Sequence, residues 1–141
     1  MKYMLIMRST DAALEASKEI DFEEIFNAMG RYNESMMEAG VMVAGEGLAG
    51  PEEGFVVDFD GETPIVTDGP YGETHELFNG YWVIEVATKE EAAQWASRCP
   101  LGPGSKLEVR RVHEESDFAD LEGNEFLEKE RGWRKEQGAR G

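Results

Sequence analysis

Asp68, Glu73, His75 and Glu76 lie in one short run, Val66-Thr67-Asp68-Gly69-Pro70-Tyr71-Gly72-Glu73-Thr74-His75-Glu76. These are residue types that move protons. A carboxylate at a strand end, held by a Gly-Pro turn, gains proton affinity when partly buried and can act as a general base. Asp68 occupies such a position; the competing reading is an Asx turn, its carboxylate bonded to nearby amides. His75 can pair with Asp68 or Glu73 and exchange protons near neutral pH, or it can be an ordinary loop histidine. Glu73, His75 and Glu76 are also metal-ligand types. One short loop without Cys or a second His is a poor divalent site, so no metal and no cofactor are expected.

Other candidates lie further along the chain. Glu46 stands between two glycines and can point into a pocket or into solvent. Gly45-Glu46-Gly47 lacks the Lys and following helix of a phosphate loop. Tyr81 and Trp82 alternate on one strand, so one faces the helices and the other the open face; each either lines a pocket or packs the core. Arg110 and Arg111 point to opposite faces, where one can meet the motif or a substrate carboxylate, or form a surface ion pair. Asp68 and His75 are the expected catalytic pair, with Glu46, Glu73, Tyr81 and Arg110 as ligand contacts. Cys99 ends a helix, where the dipole disfavours a thiolate nucleophile.

The elements that must position these groups are legible from pattern. Strands are expected over residues 2–8, 41–44, 55–59, 63–67, 81–86 and 107–112. Ser9-Thr10-Asp11 opens helical chain that runs, with a break near Ser17, to Ala39. There Phe22, Ile25, Phe26, Met29, Tyr32, Met36 and Met37 recur at helical spacing, and Gly40 stops the helix. Thr88 and Glu91 form a capping box for a second helix, which Pro100 ends. Residues 45–51 read as a loop whose glycines permit close backbone approach. Asp60-Gly61 marks a hairpin. Two β-α-β units around an antiparallel sheet give an α+β, ferredoxin-like sandwich with both helices on one face. The other face also carries apolar residues, and a homodimer covers it most simply. The domain is expected over residues 1–113. Residues 114–141 form an extension in which Phe118, Leu121, Phe126 and Leu127 make a partly helical segment docked on the body or a second subunit, the alternative being a solvated tail.

A chain of 141 residues fits one domain. Thirty acidic against 14 basic residues leave a net charge of −16, which repels nucleic acid and anionic membrane surfaces. No apolar run approaches the ~20 residues of a membrane span, and the N-terminal run lacks the cleavage site of a signal peptide. With a single cysteine, a cytoplasmic location is expected.

The run from Val66 to Gly80, with Asp68-Gly69-Pro70 and Glu73-Thr74, resembles the YCII-related proteins of the DGPF type. Met1-Lys2-Tyr3-Met4-Leu5, Ala44-Gly45-Glu46-Gly47-Leu48, Trp95-Ala96-Ser97-Arg98-Cys99-Pro100 and Glu108-Val109-Arg110-Arg111-Val112 fit as well. Glu114-Glu115-Ser116-Asp117-Phe118 resembles the start of the C-terminal extension of longer members. The resemblance implies a dimeric α+β barrel with a pocket between the sheet and its surroundings. Some members are encoded near, or fused to, sigma-factor-like proteins, which implies an auxiliary regulatory role. The wider group has been suggested to work through a His–Asp pair with its histidine in the first helix. That helix has no histidine here, Tyr71 replaces the motif phenylalanine, and His75 stands where lysine is common. Two functions therefore stand side by side. One is a small-molecule enzyme using an acid/base carboxylate in a pocket at the dimer interface. The other is a non-catalytic metabolite-binding or regulatory module linked to sigma-factor-type transcription.

Overall fold

Alternation of apolar side chains gives strand β1 (Lys2–Thr10) two unlike faces: Tyr3 and Leu5 are buried, whereas Met4 and Ile6 are half-covered. The computed structural model describes residues 1–69 and 76–140. Thr10 ends the strand and caps helix α1 (Asp11–Ser17), its Oγ1 accepting from the Ala13 amide at 3.2 Å. The chain breaks after Ser17, as its sequence indicates, and Asp21 caps helix α2 (Phe22–Glu38). Gly40 then turns it with φ 71°. Strands β2 (Met42–Gly47), β3 (Phe55–Asp58), β4 (Ile65–Asp68) and β5 (Glu76–Glu85) follow, then helix α3 (Lys89–Ser97) and strand β6 (Lys106–Arg111). Helix α4 (Glu125–Arg140) closes the chain.

Four strands form one antiparallel sheet in the order β2-β5-β1-β6. The α2 crossover leaves a gap between β1 and β2 that β5 fills, and the α3 crossover returns β6 to the far side of β1. Tyr3, Leu5, Trp82, Ile84 and Val86 face Tyr32 and Met36 of α2 and Ala92 of α3 in one apolar cluster. The Tyr32 ring meets Trp82 edge-on at 5.4 Å. Its hydroxyl donates to the Trp95 carbonyl at 2.8 Å, and the Trp82 indole N–H donates to Asn33 Oδ1 at 2.8 Å. Buried donors thus find partners that tie α2 to both sheet and α3. Burial pushes the Tyr32 phenol upward and the neighbouring Cys99 thiol to about 12.

Four expectations need correction. The segment from Gly45 to Gly47 is strand, not loop. Gly45 opposes Trp82, and a Cβ there would stand 2.8 Å from the indole Cδ1, so the glycine admits the indole. β5 begins at Glu76 instead of residue 81, carried past a bulge: Met7 pairs Gly80 but Arg8 pairs Phe78, leaving Asn79 extra. β3 and β4 form the expected hairpin as a separate two-stranded sheet, because the 3-10 turn Pro51–Glu53 redirects the chain away from β2. At α3, Thr88 Oγ1 accepts from the Glu91 amide, but the Glu91 carboxylate reaches the Ala87 N–H, one residue before the cap.

The C-terminal extension starts with a 3-10 segment, Glu115–Leu121, fastened to β6 by Asp117. Its two carboxylate oxygens accept from the Arg111 guanidinium at 2.9 Å each, and one accepts from the Glu114 amide at 2.8 Å. The Arg111 hydrogen bonds, then the Glu114 amide and His113, hold the Asp117 carboxyl well below the usual carboxylate range. Phe118 and Leu127 are half-buried, while Leu121, Phe126 and Trp133 are exposed. No helix among the described residues is long and apolar enough to cross a membrane.

Candidate functional site

The sheet face away from the helices gathers several of the residues singled out by sequence. Glu46 on β2 pairs Tyr81 on β5, which pairs Ile6 on β1, which pairs Glu108 on β6. One row along the strands lie Ala44, Val83, Met4 and Arg110. Trp82 points to the helices and Tyr81 to this open face. The Asn79 bulge rotates Phe78 onto the same face, so that Phe78 and Tyr81 stack at 6.3 Å with an interplanar angle of 11°. The centre is apolar. Glu108 holds Arg8 at 3.1 Å and Arg110 at 4.0 Å.

Asp68 ends β4 opposite Phe55 and is exposed. The next residue, Gly69, has φ 80° and donates its amide to the Gly54 carbonyl at 3.0 Å. Gly54 is a wall of a cavity of about 300 Å³ closed by Leu48, Pro51, Glu53, Phe78 and Asn79. The described start of the motif therefore stands beside a concavity whose other wall is Phe78 and Asn79. Glu73 and His75 lie outside the described residues. A larger cavity, about 580 Å³, opens between the start of β1, the end of β6 and α4, with Lys2, Glu85, Phe118, Leu127 and Arg131 on its walls.

The family model for the YCII-related domain matches residues 1–116, most of the chain. This chain belongs to the YCII-related family. No curated protein matches it by sequence. The matched span of this YCII-related protein ends inside the Glu115–Leu121 segment, so α4 lies beyond it.

Within one chain the sheet brings Glu46 and Tyr81 together and leaves Arg110 on the opposite edge strand. Three strand spacings separate β2 from β6, about 14 Å. Arg111 points to the helix side and is committed to Asp117. Sequence reasoning missed Arg8 and Glu108. Their signal was available: Arg8 follows Ile6 by two in β1, and Glu108 precedes Arg110 by two in β6, so each pair shares a face. Phe78 was also missed, because only the bulge rotates it beside Tyr81. Among the described residues, no group of three or more His, Cys, Asp or Glu side chains converges to hold a metal ion.

Proposed function

We propose that this YCII-related protein is a homodimer of the DGPF type with a ferredoxin-like fold. Its open sheet faces pair into a dimeric α+β barrel and enclose a small polar ligand. The carrying observation is the unpaired face itself: an apolar centre of Met4, Ile6, Val83 and the Phe78–Tyr81 stack, with charged groups at its edges and the motif's first glycine hydrogen-bonded to the wall of an adjoining cavity. A second copy removes that apolar surface from water. Glu46, Tyr81, Glu73 and Arg110 are the proposed ligand contacts. Asp68 and His75 are the proposed acid/base pair. The dimer supplies the burial that a carboxylate base requires.

The test has two parts. Sedimentation velocity is expected to show a dimer for the native chain and a monomer for Val83→Lys, which puts an ammonium in the apolar centre. A native chain that stays monomeric at high concentration refutes the enclosed site. A metabolite panel screened by thermal shift is then expected to give a ligand whose stabilisation falls in Tyr81→Phe. If that ligand is turned over, a pH–rate profile unchanged in Asp68→Asn removes the acid/base assignment.

The second reading is binding without turnover, including a regulatory module linked to sigma-factor-type transcription. Its support is that Glu53 is the one ionisable residue among the described walls of the cavity beside the motif. The net charge of −16 suits a basic protein partner over DNA.

A further inference from the structure

A cleft on the helix side of the sheet is distinct from both cavities above and shares only Asn79 with the one beside the motif. Its floor is Met7 and Ser9 of β1 with the bulged Asn79. One wall is α1, through Ala13, Ala16 and Ser17; a second is α2, through Phe22, Ile25 and Met29. The third is the connection between α3 and β6, from Pro100 to Ser105. The volume is about 360 Å³, within the range of small-molecule sites. The chain breaks between α1 and α2 after Ser17, and Ile20 and Phe22 line the cleft from that connection, Phe22 with 76 % of its surface exposed.

The chemistry of the lining selects the ligand. The chain is 31 % charged, yet none of the 15 described lining residues is Asp, Glu, Lys, Arg or His. Both cavities described above carry ionisable walls. A charged guest would lose its hydration here without a counter-charge, and an anion would also meet the chain's overall negative field. The lining residues with polar side chains are few: Ser9, Ser17, Ser105 and Asn79. Ser9 is 6 % exposed and is the one buried polar residue among the described residues. An apolar enclosure with a few hydroxyl and amide groups fits a molecule that is mostly hydrocarbon and carries one neutral polar end.

We infer that this cleft between α1, α2 and the α3–β6 connection binds an uncharged, predominantly apolar small molecule, with Ser9 and Asn79 at the floor receiving its polar end. The site is separate from the open sheet face and does not depend on the function proposed for that face.

The probe is N-phenyl-1-naphthylamine, an uncharged fluorophore that brightens in apolar surroundings. Saturable binding at one site per chain is expected, and 1-decanol should displace the probe at least tenfold more effectively than decanoate at pH 8. Ala16→Trp and Gly102→Trp each fill the cleft from an exposed position on a different wall. Both should reduce probe affinity at least tenfold while circular dichroism and sedimentation stay native. Val83→Lys, on the opposite face, should leave probe binding unchanged. Absence of saturable binding overturns the inference. So does binding that survives both filling variants, that disappears in Val83→Lys, or that decanoate competes for as well as decanol. Probe binding with a monomeric native chain would uphold this site while refuting the enclosed dimer.

Discussion

Two glycine-to-alanine substitutions should move stability in opposite directions, and their difference tests the packing of β2 on β5. Gly80 is buried in β5 opposite Gly47 and Met7. A Cβ there would stand 2.9 Å from the Glu46 carbonyl oxygen, 3.3 Å from Met7 Cε and 3.4 Å from Gly47 Cα. The Met7 tip can rotate away. The Glu46 carbonyl and Gly47 Cα are backbone, so relief requires β2 to shift against its partner. Overpacking of this kind costs about 1–3 kcal/mol. Gly30, in the middle of α2, has nothing within 4 Å of its Cβ position. Alanine there removes the entropic handicap of glycine in a helix and should stabilise by about 0.5–1 kcal/mol. The expected gap between Gly30→Ala and Gly80→Ala is therefore about 1.5–4 kcal/mol. Urea unfolding followed by tryptophan fluorescence reads it as a shift in midpoint at unchanged slope. Protein concentration must be held constant, since association alters apparent stability. A Gly80→Ala chain with the native midpoint would refute the close approach, and a destabilised Gly30→Ala chain would refute the open surroundings of α2.

Asp117 should titrate below the ordinary carboxylate value of about 3.9. Its folded proton affinity is depressed by Arg111 and the Glu114 amide, so the stabilisation is complete above that value and is lost as pH falls through the lower folded one. Carboxyl carbon NMR should show the low midpoint, returning toward normal in Arg111→Met; a normal midpoint in the native chain removes the clamp. The Cys99 thiol, pushed by burial to about 12, should react slowly with a disulfide reagent at pH 8 and fully in urea; prompt stoichiometric labelling of the folded chain contradicts that burial. Tyr32 is raised by burial first and by Cys99 second. Its contribution to stability should be intact below about pH 10, the ordinary tyrosine value, and decline above it as the unfolded chain ionises first. Absorbance titration should show a tyrosine component that resists ionisation and is absent in Tyr32→Phe; a Tyr32→Phe curve that keeps that component would count against it.

The helices and strands were legible because their signals are local. Apolar spacing marked α2, and Thr88 with Glu91 marked the start of α3. Alternation placed Tyr81 and Trp82 on opposite faces before any tertiary contact was considered. The Asn79 bulge was not legible, since an extra residue in a strand is defined only by its partner's register. With it went the Phe78–Tyr81 stack and the extension of β5 back to Glu76.

Composition alone set the charge of −16, and the motifs set membership of the YCII-related family, since both are properties of the chain read in order. Pairing across the sheet decided the rest. It put Glu46 beside Tyr81, sent Arg110 to the far edge, and gave Arg111 to Asp117 instead of the motif. It also assembled an apolar cleft from three segments distant in sequence. Such placements depend on which strand lies next to which, and that is fixed by burying Tyr3, Leu5, Trp82 and Ile84 under two helices, a collective outcome that no single stretch of residues encodes.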